Sequence, residues 1–268
     1  MEKVMNIYGI MVDATGFGKT IKEYRTNKPK TYTSKILEEW IREKLNNSDD
    51  EFFLYIQKKW KKLVGVDNMT IIYLMRHSEP LKVNHELNND SLQTQNEKCV
   101  LSKKGEKLAK EKSKNKELQN FDIVISSNYV RAISTAKYFT DETIIIDERF
   151  GERKFGIDSW DELPKDFGEK QFDDFNFKMK NGESINEVIK REEEALNEVL
   201  EKYKKKKVLI VGHSTAEAAL LSKWCKINYS GPYTFNNKEF FDGKWNYIET
   251  FKLEFDENNN LVSIKNIR

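Results

Sequence analysis

The sequence predicts a layered α/β domain built on a mainly parallel sheet, and three observations carry that reading. Short apolar runs rich in β-branched residues occur at Ile71–Met75 and Val208–Val211, the pattern of strands buried on both faces. Between such runs, apolar residues recur at helical spacing, so strand and helix alternate along the chain. Histidine and arginine stand directly after the apolar runs, at the carboxyl edge where open α/β sheets bind ligands.

Residues 1–68 read separately from the rest. An apolar stretch, Ile7–Val12, precedes the turn-like Asp13–Gly18, and Ile36, Leu37, Trp40, Ile41 and Leu45 then recur at helical spacing, as do Phe53, Ile56, Trp60 and Leu63. Asp50 is placed to cap the second of these helices. One strand and two helices bury little surface alone, so this small N-terminal α/β extension is expected to dock on the larger domain, on a partner or on another subunit. Gly16-Phe17-Gly18-Lys19-Thr20 is not a phosphate loop, because Asp13 stands where the first glycine would be needed.

From Met69 onward the alternation begins. Strand 70–75 leads into a long polar loop, and a basic helix starts near Ser102. A second strand, 121–125, is followed by a helix from Arg131 to Phe139 and a short strand over 143–146. An irregular, aromatic-rich stretch of about 25 residues precedes a strongly amphipathic helix, Ser184–Tyr203, with Ile185, Val188, Ile189, Leu196, Val199 and Leu200 on one face. Strand 208–211, a helix from Ala216 to Cys225 and a hairpin, Tyr247–Phe255 and Leu261–Ile267, complete the chain.

With 268 residues the chain fits a domain of about 200 residues, 69–268, carrying the appendage 1–68. The 46 basic and 44 acidic residues nearly cancel, so no strong field recruits nucleic acid or a membrane surface. The run Lys204–Lys207 lies where a helix should end and complements its dipole. Cys99 and Cys225 form no CxxC or Cys/His cluster, which predicts no metal site and fits a reducing, cytoplasmic location. No run approaches the length of a membrane span.

The chemistry is expected at three strand ends. Strand 70–75 delivers Arg76 and His77, strand 121–125 runs through Ser126-Ser127-Asn128-Tyr129-Val130 to Arg131, and strand 208–211 delivers His213. Two guanidiniums, two imidazoles and helix N-termini converging on one spot suit a dianion such as a phosphoryl group. The planar fork of arginine donates two hydrogen bonds to phosphate oxygens. An imidazole hemmed in by cations is held neutral, with a ring nitrogen free as a nucleophile.

These blocks resemble the histidine phosphatase superfamily, the phosphoglycerate mutase-like clan. Leu74-Met75-Arg76-His77-Ser78-Glu79 is similar to its Arg-His-Gly signature, with serine in place of glycine. Leu101-Ser102-Lys103-Lys104-Gly105, Ser126–Ala136, Asn181-Gly182-Glu183-Ser184 with Arg191, and Val211-Gly212-His213 follow in the family's order. The likeness covers Met69 to Arg268.

The resemblance implies a three-layer α/β/α sandwich and a phosphatase acting on a small phosphorylated metabolite. His77 would form a phosphohistidine, and Arg76, Arg131 and His213 would hold the phosphoryl oxygens. Glu152, rather than Glu148, would be the general acid and then the base. Neither metal nor cofactor is expected. Pro80 and Val83 depart from the family's hydroxyl and asparagine, and His85 reads as a solvated loop residue. Two other readings are a phosphoglycerate mutase-type phosphotransferase, disfavoured by the short connection from Gly156 to Asn181, and a phosphate-binding regulatory protein without turnover.

Overall fold

The structure, a computed structural model, describes residues 68–82 and 90–268. The strand and helices expected within residues 1–67, with Asp13 and the glycine string, lie outside the described residues, as do Val83 and His85.

Strands β1 (Thr70–Arg76), β2 (Ile123–Ser126), β3 (Ile145–Ile146) and β4 (Lys207–Gly212) run parallel, in the order β3-β2-β4-β1. Their inner members are apolar on both faces because helices cover both. Ile72 and Leu74 point to one side, with Val208 and Ile210; Tyr73 and Met75 point to the other, with Leu209 and Val211. The first face is covered by α5 (Ile185–Lys202) and α6 (Ser214–Leu221), the second by α3 (Val130–Ala136). Three layers result, as expected. Helices α1 (Leu92–Lys98), α2 (Lys103–Lys112) and α4 (Phe167–Asp173) lie along the connections.

The C-terminal hairpin, β7 (Thr250–Phe255) and β8 (Leu261–Asn266), extends the same sheet. β7 pairs antiparallel with β1, placing Leu253 opposite Ile72. β1 is therefore an interior strand, flanked by β4 and β7.

Helix starts follow their capping chemistry. The Ser184 hydroxyl accepts from the Glu187 amide while the Glu187 carboxylate accepts from the Ser184 amide, a reciprocal box at the head of α5. Ser102 caps α2 through the Gly105 amide.

Several elements differ from expectation. The polar loop after β1 holds α1, which buries no residue and so carries no apolar periodicity to detect. The irregular stretch holds α4. A small two-stranded hairpin, β5 (Tyr233–Phe235) with β6 (Lys238–Phe241), packs aromatic rings against the first face. The strand expected at 143–146 is only two residues long and exposed. The strand expected from Tyr247 begins at Thr250, because 245–249 leaves the ladder to contact the end of β1.

Candidate active site

Sheet order brings the predicted residues together. β4 lies between β1 and β2, and the ladder continues past the strands: the His77 amide donates to the Gly212 carbonyl (2.9 Å) and the Ser127 amide to the Val211 carbonyl (3.0 Å). His213, next on β4 and preceding α6, is thus delivered between His77 and Ser127. Arg131 enters from the first turn of α3. His77 is 6%, Arg131 5% and His213 0% exposed, so the cluster is buried and strongly coupled.

The hydrogen bonds fix both imidazole tautomers. His77 Nδ1 lies 2.7 Å from the Ser78 carbonyl, which can only accept, so Nδ1 carries the proton. Nε2 then holds a lone pair, and it accepts from Arg131 Nε at 3.0 Å. Arg131 Nη2 approaches His213 Nδ1 at 3.4 Å, which leaves His213 Nε2–H to donate to the Ser127 hydroxyl at 2.9 Å. The two rings are 5.1 Å apart. Burial first, then Arg131 and Arg76, holds the His77 pKa well below its usual value; burial, His77 and Arg131 do the same for His213. Both rings are neutral at pH 7.

Arg131 is aimed by its surroundings. Nη1 donates to the Asn96 carbonyl on α1, and the guanidinium lies 4.6 Å over the Tyr129 ring. The Tyr129 and His213 rings in turn pack edge-to-face, 4.4 Å apart. Arg76 donates through Nη1 to the Trp245 carbonyl (2.9 Å) and stacks on Tyr247 at 4.6 Å, while its Nε has no hydrogen-bond partner among the described residues.

Ser78 explains the departure from glycine. Its hydroxyl donates to the Gly105 carbonyl at 2.6 Å, and its amide donates to Thr135 Oγ1 at 2.9 Å. A Cβ at position 105 would fall inside van der Waals contact of the Glu79 carbonyl oxygen. The tight approach of α2 to the end of β1 therefore requires glycine there.

Glu152 is half-buried, whereas Glu148 is exposed. The Glu152 charge acts on both Arg76 and Arg131, opposing the burial that lowers each guanidinium pKa. Its Oε1 accepts from the Arg153 amide (2.9 Å), and the Arg153 guanidinium stands 3.9 Å away. Arg149 does not compete for it, being paired with Asp147 and Glu198. Glu183 binds Arg191 and the Lys154 amide, while Arg191 Nη1 donates to the Arg149 carbonyl. This brace holds the Glu152 loop.

Sequence reading missed three residues here. Arg153 lies over Phe155 (4.9 Å) and Phe167 (5.6 Å), its Nε buried with no hydrogen-bond partner among the described residues. The sequence predicts a strand starting at Tyr247, whereas the strand begins at Thr250. Glu217 on α6 is buried with neither carboxyl oxygen hydrogen-bonded among the described residues, and nothing in the spacing marks it as more than another helical glutamate. Trp160 packs edge-on to Phe155 (5.1 Å) but is 42% exposed.

The family model of the histidine phosphatase superfamily (branch 1) matches residues 72–252, a span that includes every residue of this cluster. The chain belongs to the histidine phosphatase superfamily. Solved structures of similar fold include a mycobacterial glucosyl-3-phosphoglycerate phosphatase (16% identity, TM-score 0.53, 74% of this chain and 97% of that one). A phosphoserine phosphatase from Entamoeba histolytica in complex with 3-phosphoglyceric acid is similar at 20% identity and TM-score 0.52, over 74% of this chain and 98% of that one. A putative α-ribazole-5′-P phosphatase from Escherichia coli K-12 is similar at 18% identity and TM-score 0.52, over 74% and 97%. No curated protein sequence matches the chain. Among the described residues of this superfamily member, no helix is long and apolar enough to cross a membrane.

Proposed function

We propose that this superfamily member hydrolyses a small-molecule phosphomonoester through a phosphohistidine on His77. The observation that carries the reading is the lone pair on His77 Nε2, held neutral and facing Arg131. Attack needs that lone pair, so the arriving phosphoryl group takes over the Arg131 Nε–H as one of its oxygens displaces the imidazole. Arg76 and Arg131 stabilise the charge that spreads over the phosphoryl oxygens in transfer. His213 faces the guanidinium with a lone pair and takes up a proton when the dianion arrives, since an adjacent negative charge favours the imidazolium.

Glu152 protonates the leaving alkoxide. It then removes a proton from the water that attacks the phosphohistidine, returning His77 and releasing inorganic phosphate. The residues assigned to these steps supply nucleophile, acid and charge stabilisation without a metal, so turnover in EDTA is expected. The substrates named for the similar phosphatases differ from one another, and only their shared phosphomonoester is carried over here. The reading includes a cytoplasmic location, for which the free thiols of Cys99 and Cys225 are the support, and it assigns residues 1–68 to docking.

Hydrolysis of p-nitrophenyl phosphate in EDTA tests the reading directly. His77→Ala is expected to lose at least about a thousandfold in kcat, and mass spectrometry of acid-labile, base-stable phosphate should find it on His77 alone. Wild-type turnover in that variant would refute the nucleophile.

A further inference from the structure

Arg76 is gripped by one short segment, Trp245–Glu249, that joins the aromatic hairpin to β7. The Arg76 amide donates to the Glu249 carbonyl at 2.9 Å, and the Ile248 amide reaches the His77 carbonyl at 3.4 Å. Arg76 Nη1 donates to the Trp245 carbonyl, and the guanidinium lies 4.6 Å over the Tyr247 ring. That ring is also 6.3 Å from the His77 ring.

Getting the tyrosine there strains the backbone. Ile248 has a φ of 56°, and a β-branched residue in the left-handed region is a true outlier. Such strain persists only where the surroundings over-determine it, and here they do. The Asn246 amide and side chain both donate to the Glu249 carboxylate, which also accepts from Asn266 at 2.7 Å. The Trp245 indole donates to the Tyr233 hydroxyl at 3.0 Å and packs on Phe241 and Phe251.

We propose that Tyr247 is a positioning residue: its ring fixes the plane of the Arg76 guanidinium, and the strained segment around it is the clamp that holds the ring in place. With Nη1 taken by Trp245, the Nε–Nη2 edge is the fork left for two phosphoryl oxygens, and its direction depends on the ring beneath. A loose guanidinium would still attract a dianion but would meet the transition state out of plane, where small misplacements are costly. The inference rests on the phosphatase reading given above.

The test compares Tyr247→Ala, Tyr247→Leu and Tyr247→Phe in the full chain. Turnover of p-nitrophenyl phosphate is followed beside binding of inorganic phosphate by calorimetry. Tyr247→Ala should weaken phosphate binding roughly tenfold and lower kcat by more than it raises KM. Tyr247→Leu should behave like alanine, and Tyr247→Phe should restore both readouts. Wild-type behaviour of Tyr247→Ala, full rescue by leucine, or failure of phenylalanine would each overturn the proposal. An active His77→Ala would instead refute the phosphohistidine reading, and the calorimetric comparison of the Tyr247 variants would still decide this one.

Discussion

A single proton sets the chemistry of His77. The Ser78 carbonyl keeps it on Nδ1, so Nε2 holds a free lone pair and the proposed nucleophile needs no separate general base. Because burial and two arginines hold the ring neutral well below its ordinary range, kcat/KM should show no loss at pH 6.5, and any limb due to His77 should lie further to the acid side. A pH–rate profile from 5 to 8 checks this. In a single turnover, Glu152→Gln should slow release of the leaving group by about 10²–10⁴ for alkyl phosphates and much less for p-nitrophenyl phosphate, whose leaving group needs little protonation. Equal losses on both substrates would remove Glu152 from the acid role. Arg76, His77, Arg131 and His213 were legible in sequence because each abuts a strand end or a helix start. Tyr247 was not, since its position follows from a left-handed isoleucine, a residue type that ordinarily signals strand.

Elements that approach each other closely leave equally definite expectations. Gly105 lets α2 press on the turn after β1, and Ser78 bonds to its carbonyl. Gly105→Ala should therefore displace the turn that carries His77, costing about 1–3 kcal/mol and lowering both Tm and kcat. Thermal melts beside kinetics would show it, and an unperturbed Tm would mean the turn can yield. Long elements with a buried face, β1, β4 and α5, were readable from periodicity alone. The seven-residue α1 and α4 and the small hairpin β5–β6 were not. Helix α1 buries no residue, and α4 and the hairpin lie in an irregular, aromatic-rich context where so few turns or alternations show no pattern. Helix α3, equally short, follows directly on a readable strand.

Across the whole molecule, burial of acids between α5 and α6 couples stability to pH. Glu192 is pushed up to about 8, mainly by burial, with the Glu152 and Glu183 charges adding to it and Arg191 opposing. Its folded pKa lies above its unfolded value, so its contribution is fully present below about pH 4.5 and is lost as pH rises toward 8. The two histidines act with the opposite sign: depressed in the fold, they cost stability as pH falls through 6.5 and below. Glu192→Gln should flatten the decline in Tm between pH 5 and 8.5, and an unchanged slope would show that the carboxyl is not the source. The parallel sheet and its covering helices followed from strand–helix alternation. The docking of β7 beside β1 did not, since a hairpin's pattern records its own pairing and not the strand it joins.

The carbonyl of Trp245 holds Arg76 while its indole sits among Tyr233, Phe241 and Phe251. A reporter group therefore belongs to the same residue that holds the proposed oxyanion fork. Fluorine-labelled tryptophan would give five resonances, one per tryptophan of the chain, and the one from position 245 should shift on titration with vanadate. Occupancy could then be followed without turnover, in any variant too slow to assay.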